Sequence, residues 1–260
     1  MLIVRKFRSL MRYRRIFRNW WLAAGTRYFK GMLGPRRELI MRDGGRLVFV
    51  PATDFVVLGE IFVVGAYDGV AGLRGVRRVW DVGGNIGCFV LWASRQFAGA
   101  EFESFEPAPG TYALLESNRA ANPGTRWRVH PFGFSDRDEV CVARIPKGRS
   151  GETSRFATDG EEVRLELRDI EQYWVASGRP RIDLLKIDCE GGEYAIFRRL
   201  SREMLASVGA LVVEFHVVPG ASAEAAMSVL KDAGFSLTPG SAAQGLFLAI
   251  AVREVGAVHT

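Results

Sequence analysis

A glycine-rich loop that follows an apolar strand pattern is the first feature of the sequence that could do chemistry. Residues 79–87 read Val-Trp-Asp-Val-Gly-Gly-Asn-Ile-Gly, and the small residues of the loop are Gly83, Gly84, Asn85 and Gly87. Glycine allows positive φ and close approach of a ligand, and asparagine tolerates the left-handed conformation better than most residues. A helix pattern follows, so we predict that N–H groups at its start face a bound ligand.

Asp81, at the strand end just before the first glycine, indicates which ligand the loop suits. Nicotinamide enzymes share the glycine loop, but a carboxylate at this position would repel their pyrophosphate. S-adenosylmethionine carries an ammonium and a sulfonium and no phosphate, so a carboxylate beside its ammonium is favourable. We therefore predict S-adenosylmethionine as the cofactor. The alternative is that Asp81 caps the helix or supports the loop.

Glu106 gives a second predicted cofactor contact. It follows the next strand pattern, in Phe-Glu-Ser-Phe-Glu-Pro, one βαβ step after the loop. A carboxylate at that place can accept both ribose hydroxyls of an adenosine, and the alternative is a solvated turn acid. Upstream, Glu60 and Tyr67 are predicted to line the cofactor or acceptor pocket, with a capping acid and a core tyrosine as equal alternatives.

Two later strand patterns end in polar residues that could act on an acceptor. Alternation places Lys186 and Asp188 on one face of their strand, and Glu214 and His216 on one face of theirs. An alcohol loses its proton as it attacks a methyl group, and Asp188 and His216 are the leading candidates for the base. These four residues form the predicted catalytic set.

Each member of this set also has a structural interpretation. Asp188 and the glutamates after it could favour a helix N-terminus, His216 could be a satisfied structural histidine, and Lys186 could neutralise the acids. A divalent metal held by Asp188, Glu214 and His216 is compatible with these ligand types but is not favoured. No metal ligand is therefore predicted.

The elements that must position these residues alternate between strand and helix patterns from Val79 onward. This alternation predicts a mostly parallel sheet covered by helices on both faces. The last two strand patterns, Phe235–Thr238 and Leu246–Val252, are joined by a short loop and must be antiparallel. The predicted fold is α/β, the mostly parallel seven-stranded, Rossmann-like sheet of a class I methyltransferase with an antiparallel last strand.

An extra hairpin is predicted from Val140–Ile145 and Val163–Leu167. The polar loop between them, Lys147–Glu162, either covers an acceptor site or is a plain surface loop.

The N-terminal segment carries most of the positive charge. The net charge is +6, yet residues 1–37 hold eleven Lys or Arg and no acid, so the remainder is acidic. Apolar residues at helical spacing predict a basic amphipathic helix in an arm at residues 1–45, before a catalytic domain at residues 46–260. The arm could pack on the domain, contact an anionic membrane surface through residues 1–30, or bind a partner or nucleic acid.

Composition excludes several classes of protein. The three cysteines form no CxxC pair, which argues against a disulfide framework or a structural zinc site. No apolar stretch is long enough to span a membrane, and basic residues interrupt any signal-peptide pattern. We expect a cytoplasmic protein, with the inner membrane surface as its place of peripheral contact.

Taken together, the motifs resemble the FkbM-type family of S-adenosylmethionine-dependent methyltransferases. The resemblance runs from about Thr53 to His216 and rests on Glu60-Ile-Phe with Tyr67, Asp81-Val-Gly-Gly-Asn-Ile-Gly87, Phe105-Glu-Pro107, Glu116-Ser-Asn118 with Asn122, Lys186-Ile-Asp-Cys-Glu-Gly-Gly-Glu193 and Glu214-Phe-His216. The family usually has alanine where Gly84 and Gly192 stand and valine where Cys189 stands, and both changes keep the side chain small or apolar.

The resemblance implies O-methylation of a hydroxyl on a small molecule, a sugar, a lipid-linked glycan or another natural product. It names no single acceptor, and the oligomeric state does not follow from it. The alternative function is a nucleic-acid methyltransferase that uses the basic arm to bind phosphates. The acidic body and the absence of an Asn-Pro-Pro-aromatic or Asp-Pro-Pro-aromatic motif argue against that alternative, so nucleic acid is not an expected partner.

Overall fold

The computed structural model describes residues 10–26, 35–145, 159–239 and 247–253. The strands in these ranges are β1 (Arg37–Ile40), β2 (Arg46–Phe49), β3 (Arg78–Val82), β4 (Glu101–Phe105), β5 (Arg126–His130), β6 (Gly133–Ser135), β7 (Glu139–Ile145), β8 (Glu161–Asp169), β9 (Ile182–Ile187), β10 (Val208–Phe215), β11 (Phe235–Pro239) and β12 (Phe247–Arg253). The α-helices that begin and end within these residue ranges are α1 (Trp20–Thr26), α2 (Phe55–Gly59), α3 (Cys88–Gln96), α4 (Pro109–Ala121), α5 (Ile170–Ala176), α6 (Glu193–Arg199), α7 (Arg202–Ser207) and α8 (Ala223–Asp232).

The main sheet of the described residues has seven strands in the order β11-β12-β10-β9-β3-β4-β5. Strands β10, β9, β3, β4 and β5 run parallel to one another. Strand β12 is antiparallel to both of its neighbours, β10 and β11. The predicted α/β fold, with a mostly parallel sheet and an antiparallel last strand, is confirmed.

The central strands are buried on both faces, which explains their apolar sequences. Alternate residues of β3 belong to different core clusters, with Val79 on one face and Trp80 and Val82 on the other. Asp81 shares the face of Val79, and the strand register places it opposite Ser104 on β4 and Lys186 on β9. Three polar side chains from neighbouring strands therefore project from one face of the sheet.

A smaller sheet of three described strands has the order β6-β8-β7. Its strands β7 and β8 pair antiparallel, which confirms the predicted hairpin. Residues 147–158 of the predicted loop lie outside the described residues.

Asn118 of α4 and Asn122, which directly follows that helix, hold β2 against the main domain. Asn118 donates from Nδ2 to the carbonyl oxygens of Val48 at 2.9 Å and Ile86 at 2.7 Å, and its Oδ1 accepts from the Val48 N–H. Asn122 in the same way accepts from the Arg46 N–H and donates to the Arg46 carbonyl. Asn118 thus joins the hairpin of β1 and β2 directly to the glycine loop.

The N-terminal segment packs on the domain. Residues 10–16 and α1 are helical, and Phe17 between them is completely buried and bridges to Met41. Tyr13, Ile16 and Trp20 pack against the same core cluster. The apolar side of the arm therefore packs on the domain, as the first of its three interpretations states. Strand β1 lies before residue 45 and its partner β2 after it, so the hairpin crosses the predicted domain boundary.

The segment that carries Tyr67 is not one regular α-helix. Helix α2 continues as a π-helix over Glu60–Val64 and ends at Gly65, which has a φ of 78°. This positive φ lies in the left-handed region that favours glycine. Strands β1 and β6 and helix α7 were not predicted from the sequence, because they have only three to six residues each and too little periodicity.

None of the helices in the described ranges is both long enough and apolar enough to cross a membrane.

Candidate active site

Four adjacent strands of the main sheet end near an acidic residue at the same edge. In sheet order, β10 ends near Glu214, β9 is followed by Asp188, β3 contains Asp81, and β4 is followed by Glu106. Ligands of open α/β sheets bind at this carboxyl edge. The topology therefore gathers most of the predicted site residues in one row.

Lys186 lies at the centre of this row and is only 3 % exposed. Its Nζ is 3.1 Å from Asp81 Oδ1 and 3.5 Å from Asp188 Oδ2, and it donates to the Gly83 carbonyl at 2.5 Å. Burial opposes the charged form, but the negative charges of Asp81 and Asp188 outweigh it and hold the Lys186 pKa well above its usual value. A lysine that stays protonated cannot accept a proton, so this geometry favours the neutralising role.

Asp81 is completely buried beneath the glycine loop. Its Oδ2 accepts from Ser104 Oγ at 2.9 Å, and Ser104 in turn accepts from the Trp127 indole at 2.9 Å. Burial raises the pKa of Asp81 above its usual value, although Lys186 and Ser104 favour its ionised form. These contacts favour the interpretation that Asp81 supports the loop from inside.

The loop needs its glycines because other parts of the chain approach closely. Gly83 has a φ of 79°, and a Cβ there would overlap the carbonyl oxygen of Asp188. Gly87 has a φ of 91°, and a Cβ there would overlap the ring of Trp127. Asn85 adopts the left-handed conformation with a φ of 48°.

The N–H groups of the loop are bonded within the chain. The Phe105 carbonyl accepts from Gly83 and Gly84, each at 3.0 Å. The remaining three donate to Glu106 Oε2, to the Asn85 side chain and to the Gly84 carbonyl. The end of the next strand and the loop itself therefore satisfy the N–H groups of residues 83–87, and the prediction that N–H groups at the start of the following helix face a ligand stays a prediction.

Glu106 is buried, and its carboxylate accepts two backbone hydrogen bonds. Oε2 accepts from Asn85 and Oε1 from Ala108, both at 2.9 Å. Burial raises its pKa to about 7 despite these two bonds. Each carboxylate oxygen has two lone pairs, so each retains the capacity to accept one ligand hydroxyl. This arrangement fits the two neighbouring hydroxyls of a ribose.

Tyr67 and Asp188 meet beside the glycine loop, at the carboxyl edge of the sheet. The buried Tyr67 hydroxyl donates to Asp188 Oδ2 at 3.4 Å, and its ring packs edge-on against Phe89. Burial raises the pKa of Tyr67 well above its usual value, so it remains a donor. On the neighbouring strand, the charge of Asp188, together with burial, raises the pKa of Glu214 to about 8, and Glu60 adds to this effect.

His216 is enclosed by acids. Its Nδ1 lies 3.0 Å from Glu193 Oε1 and its Nε2 lies 3.3 Å from Glu190 Oε2. Burial opposes protonation, but the hydrogen bond that His216 donates to Glu193 and the charge of Glu190 outweigh it and raise the His216 pKa to about 10. His216 is thus an imidazolium at neutral pH, and this geometry does not favour it as the base.

The same region contains atoms that could ligate a metal. Ligand atoms of Asp188, Glu193 and His216 lie within 4.8 Å of one another. The buried Glu193 carboxylate already accepts from the N–H groups of Cys189 and Gly191. This group contains Glu193 where the sequence had suggested Glu214, and the prediction that no residue is a metal ligand stays a prediction.

Comparison with known proteins identifies the family. Residues 64–237, more than half of the chain, match the model of the methyltransferase FkbM domain. The chain belongs to the FkbM methyltransferase family. The resemblance found in the sequence motifs is therefore confirmed, and with it a methyltransferase activity that depends on S-adenosylmethionine.

Three relatives of this FkbM methyltransferase illustrate the similarity. Methyltransferase 1 of Beauveria bassiana is 26% identical, with 68% of this chain and 79% of the relative covered. The 31-O-demethyl-FK506 methyltransferase FkbM of Streptomyces tacrolimicus is 24% identical, with 70% and 80% covered. The hexuronic acid methyltransferase AglP of Haloferax volcanii is 30% identical, with 53% and 55% covered.

Replacement of Lys186 tests its role at the centre of this FkbM methyltransferase. Lys186→Met leaves Asp81 and Asp188 without their cation, so we expect a loss of about 3–5 kcal/mol in the free energy of unfolding. Arg128→Met is the control, because Arg128 is an exposed partner of Glu103 and should cost at most about 1 kcal/mol. Urea denaturation measures both variants, and equal losses would contradict the assigned role.

Glu106 should make stability depend on pH. Its native pKa is about 7 against 4.5 for an ordinary glutamate, so between these values the native state holds a proton that the unfolded chain has lost. The Glu106 contribution to the free energy of unfolding therefore falls as pH rises from about 4.5 through about 7. We expect Glu106→Gln to flatten this fall in denaturation measured from pH 5 to 8.

Glu116→Gln is the control for this measurement, because Glu116 pairs with Arg119 and its pKa is lowered. It should keep the wild-type slope above about pH 5. A wild-type slope in Glu106→Gln as well would show that Glu106 does not titrate in this range.

Proposed function

We propose that the protein transfers the methyl group of S-adenosylmethionine to a hydroxyl of a sugar, glycolipid or other polyhydroxylated natural product. The observation that carries the proposal is the Asp188 carboxylate, which Tyr67 and Lys186 hold beside the glycine loop at the carboxyl edge of the sheet. Two relatives, named as a 31-O-demethyl-FK506 methyltransferase and a hexuronic acid methyltransferase, support this acceptor class.

In this proposal Glu106 accepts the ribose hydroxyls of the cofactor, and the loop from Gly83 to Gly87 shapes the pocket for its methionine part. When bound, the cofactor supplies an electrophilic methyl group on a sulfonium. Asp81 and Lys186 keep the loop in place, while Tyr67 and Glu60 line the pocket from the segment before β3. The protein's contribution to the rate is then largely the positioning of donor and acceptor.

Asp188 is the base that we assign to the acceptor hydroxyl. Both Tyr67 and Lys186 contact its Oδ2, so we assign Oδ1 to the hydroxyl proton. The partial exposure of Asp188 and its place over the end of β9 suit this role. Glu214 is not assigned as the base, since a pKa of about 8 keeps it largely protonated near neutrality, and in this proposal it donates a hydrogen bond to the acceptor.

A nucleic-acid acceptor is less favoured by this geometry. A phosphate backbone would meet the carboxylates of Asp188 and Glu190, which are each 25 % exposed. The repulsion would oppose the charge attraction on which nucleic-acid binding depends.

One set of measurements tests both cofactor binding and the assignment of Asp188 as the base. S-adenosylmethionine and S-adenosylhomocysteine at about 100 times their dissociation constants should each stabilise the protein by roughly 2.7 kcal/mol, and NAD should not. Glu106→Ala should lose this stabilisation. Asp188→Asn should keep it and lower kcat by about 10²–10⁴-fold, because only the proton acceptor is removed.

Glu116→Ala is the matched control for Glu106→Ala and should bind the cofactor normally. No stabilisation of folded wild-type protein by either adenosyl compound would overturn the proposal.

A peripheral contact with an anionic membrane is proposed for residues 1–30. Among the residues that the structure describes, four exposed arginines of the arm form no salt bridge: Arg12, Arg14, Arg15 and Arg18. Leu10 and Trp21 are 37 % and 58 % exposed beside them in sequence. Basic residues with exposed tryptophan and leucine suit the headgroup boundary of a bilayer.

Vesicle sedimentation tests this contact. We expect wild-type protein to sediment with vesicles that contain phosphatidylserine and not with neutral vesicles, and Arg14→Glu/Arg15→Glu to sediment less. The control, Arg137→Glu/Arg144→Glu, reverses exposed charges elsewhere on the chain. Equal sedimentation of the two double variants would contradict the proposed contact.

A further inference from the structure

The acceptor side of the site has more acids than bases. The described ionisable groups that influence one another there are Glu60, Asp188, Glu190, Glu193, Glu214, Lys186 and His216. Only the last two of these seven groups are cationic. The charge that an acceptor meets therefore depends on whether these two cations can still interact with a ligand.

Lys186 is not accessible to a ligand. Its ammonium lies 3.1 Å from the Asp81 carboxylate and 3.5 Å from the Asp188 carboxylate, and it donates a hydrogen bond to the Gly83 carbonyl at 2.5 Å. Its 3 % exposure leaves no surface for a carboxylate to approach.

His216 is occupied in the same way. An imidazolium has two N–H groups, one on each nitrogen, and these lie 3.0 Å from Glu193 and 3.3 Å from Glu190. Its two N–H groups therefore face Glu190, in the loop after β9, and Glu193, at the start of α6. Neither cation of the described site is therefore available to pair with an anionic acceptor.

Four of the acids are at least partly exposed. Asp188 and Glu190 are each 25 % exposed, Glu214 is half-buried, and Glu60 is exposed. The raised pKa of Glu214, caused first by the charge of Asp188, shows that these groups already repel one another. A ligand with a further negative charge would add to that repulsion, whereas an ammonium would relieve it.

We infer that the acceptor is a hydroxyl compound without negative charge, and that an amino group beside the hydroxyl improves its binding. This substrate class rests on the proposed methyl transfer to a hydroxyl. It separates this chain from a methyltransferase that acts on a hexuronic acid.

The test compares three glycosides that share one ring and differ only in charge. Methyl glucoside, methyl glucosaminide and methyl glucuronide are supplied with radiolabelled S-adenosylmethionine, and kcat/KM for methyl transfer is measured. We expect the glucosaminide to exceed the glucuronide at least tenfold, with the glucoside between them. A glucuronide that is equal to or better than the glucosaminide overturns the inference, as does the absence of transfer to all three while the cofactor binds.

A charge-reversal variant makes the test specific to the site. Glu60→Lys should reduce the ratio of glucosaminide to glucuronide about tenfold, because it adds a cation near Glu214 and removes an acid. Glu116→Lys, which changes an acid on α4, should leave the ratio unchanged. An equal effect of both variants would contradict the inference.

Stabilisation by S-adenosylmethionine is measured on the same samples. If S-adenosylmethionine does not stabilise the folded wild-type protein, the proposed function itself is overturned, and the acceptor class with it. Normal stabilisation with the wrong charge preference would overturn the acceptor class alone.

Discussion

The buried ammonium of Lys186 is the interaction on which the carboxyl edge of the sheet depends. It contacts the Asp81 carboxylate on β3, the carbonyl of Gly83 in the next loop, and the Asp188 carboxylate after β9. Without a cation at this point, two carboxylates would share a buried space and repel each other. The lysine therefore allows one loop to be shaped for a cofactor while the adjacent loop presents an acid to an acceptor.

The loops also depend on each other through their backbones. The carbonyl of Phe105 accepts from two N–H groups of the glycine loop, and Glu106 accepts from a third. The Asp188 carbonyl occupies the space that a side chain at Gly83 would need. Three strand ends thus fix one another before any ligand is present, and preorganisation of this kind reduces the entropy lost on binding.

The alternation of strand and helix patterns was enough to predict the sheet, because buried parallel strands leave a strong apolar signal. It also predicted which acids lie at the carboxyl edge. The partners of each acid could not be predicted, since they depend on register: Ser104 reaches Asp81 only because β3 and β4 pair at those positions. The protonated state of His216 was also hidden, because it arises from Glu190 and Glu193 folding around the ring.

Asn118 has a consequence for where the domain begins. The matched family region starts at residue 64, yet the amide of Asn118 bonds β2, at Val48, as well as the glycine loop, at Ile86. Side chains from before that start, among them Phe49, fill the same core cluster as α3. The N-terminal hairpin therefore completes the core of the matched region and is bonded to its glycine loop.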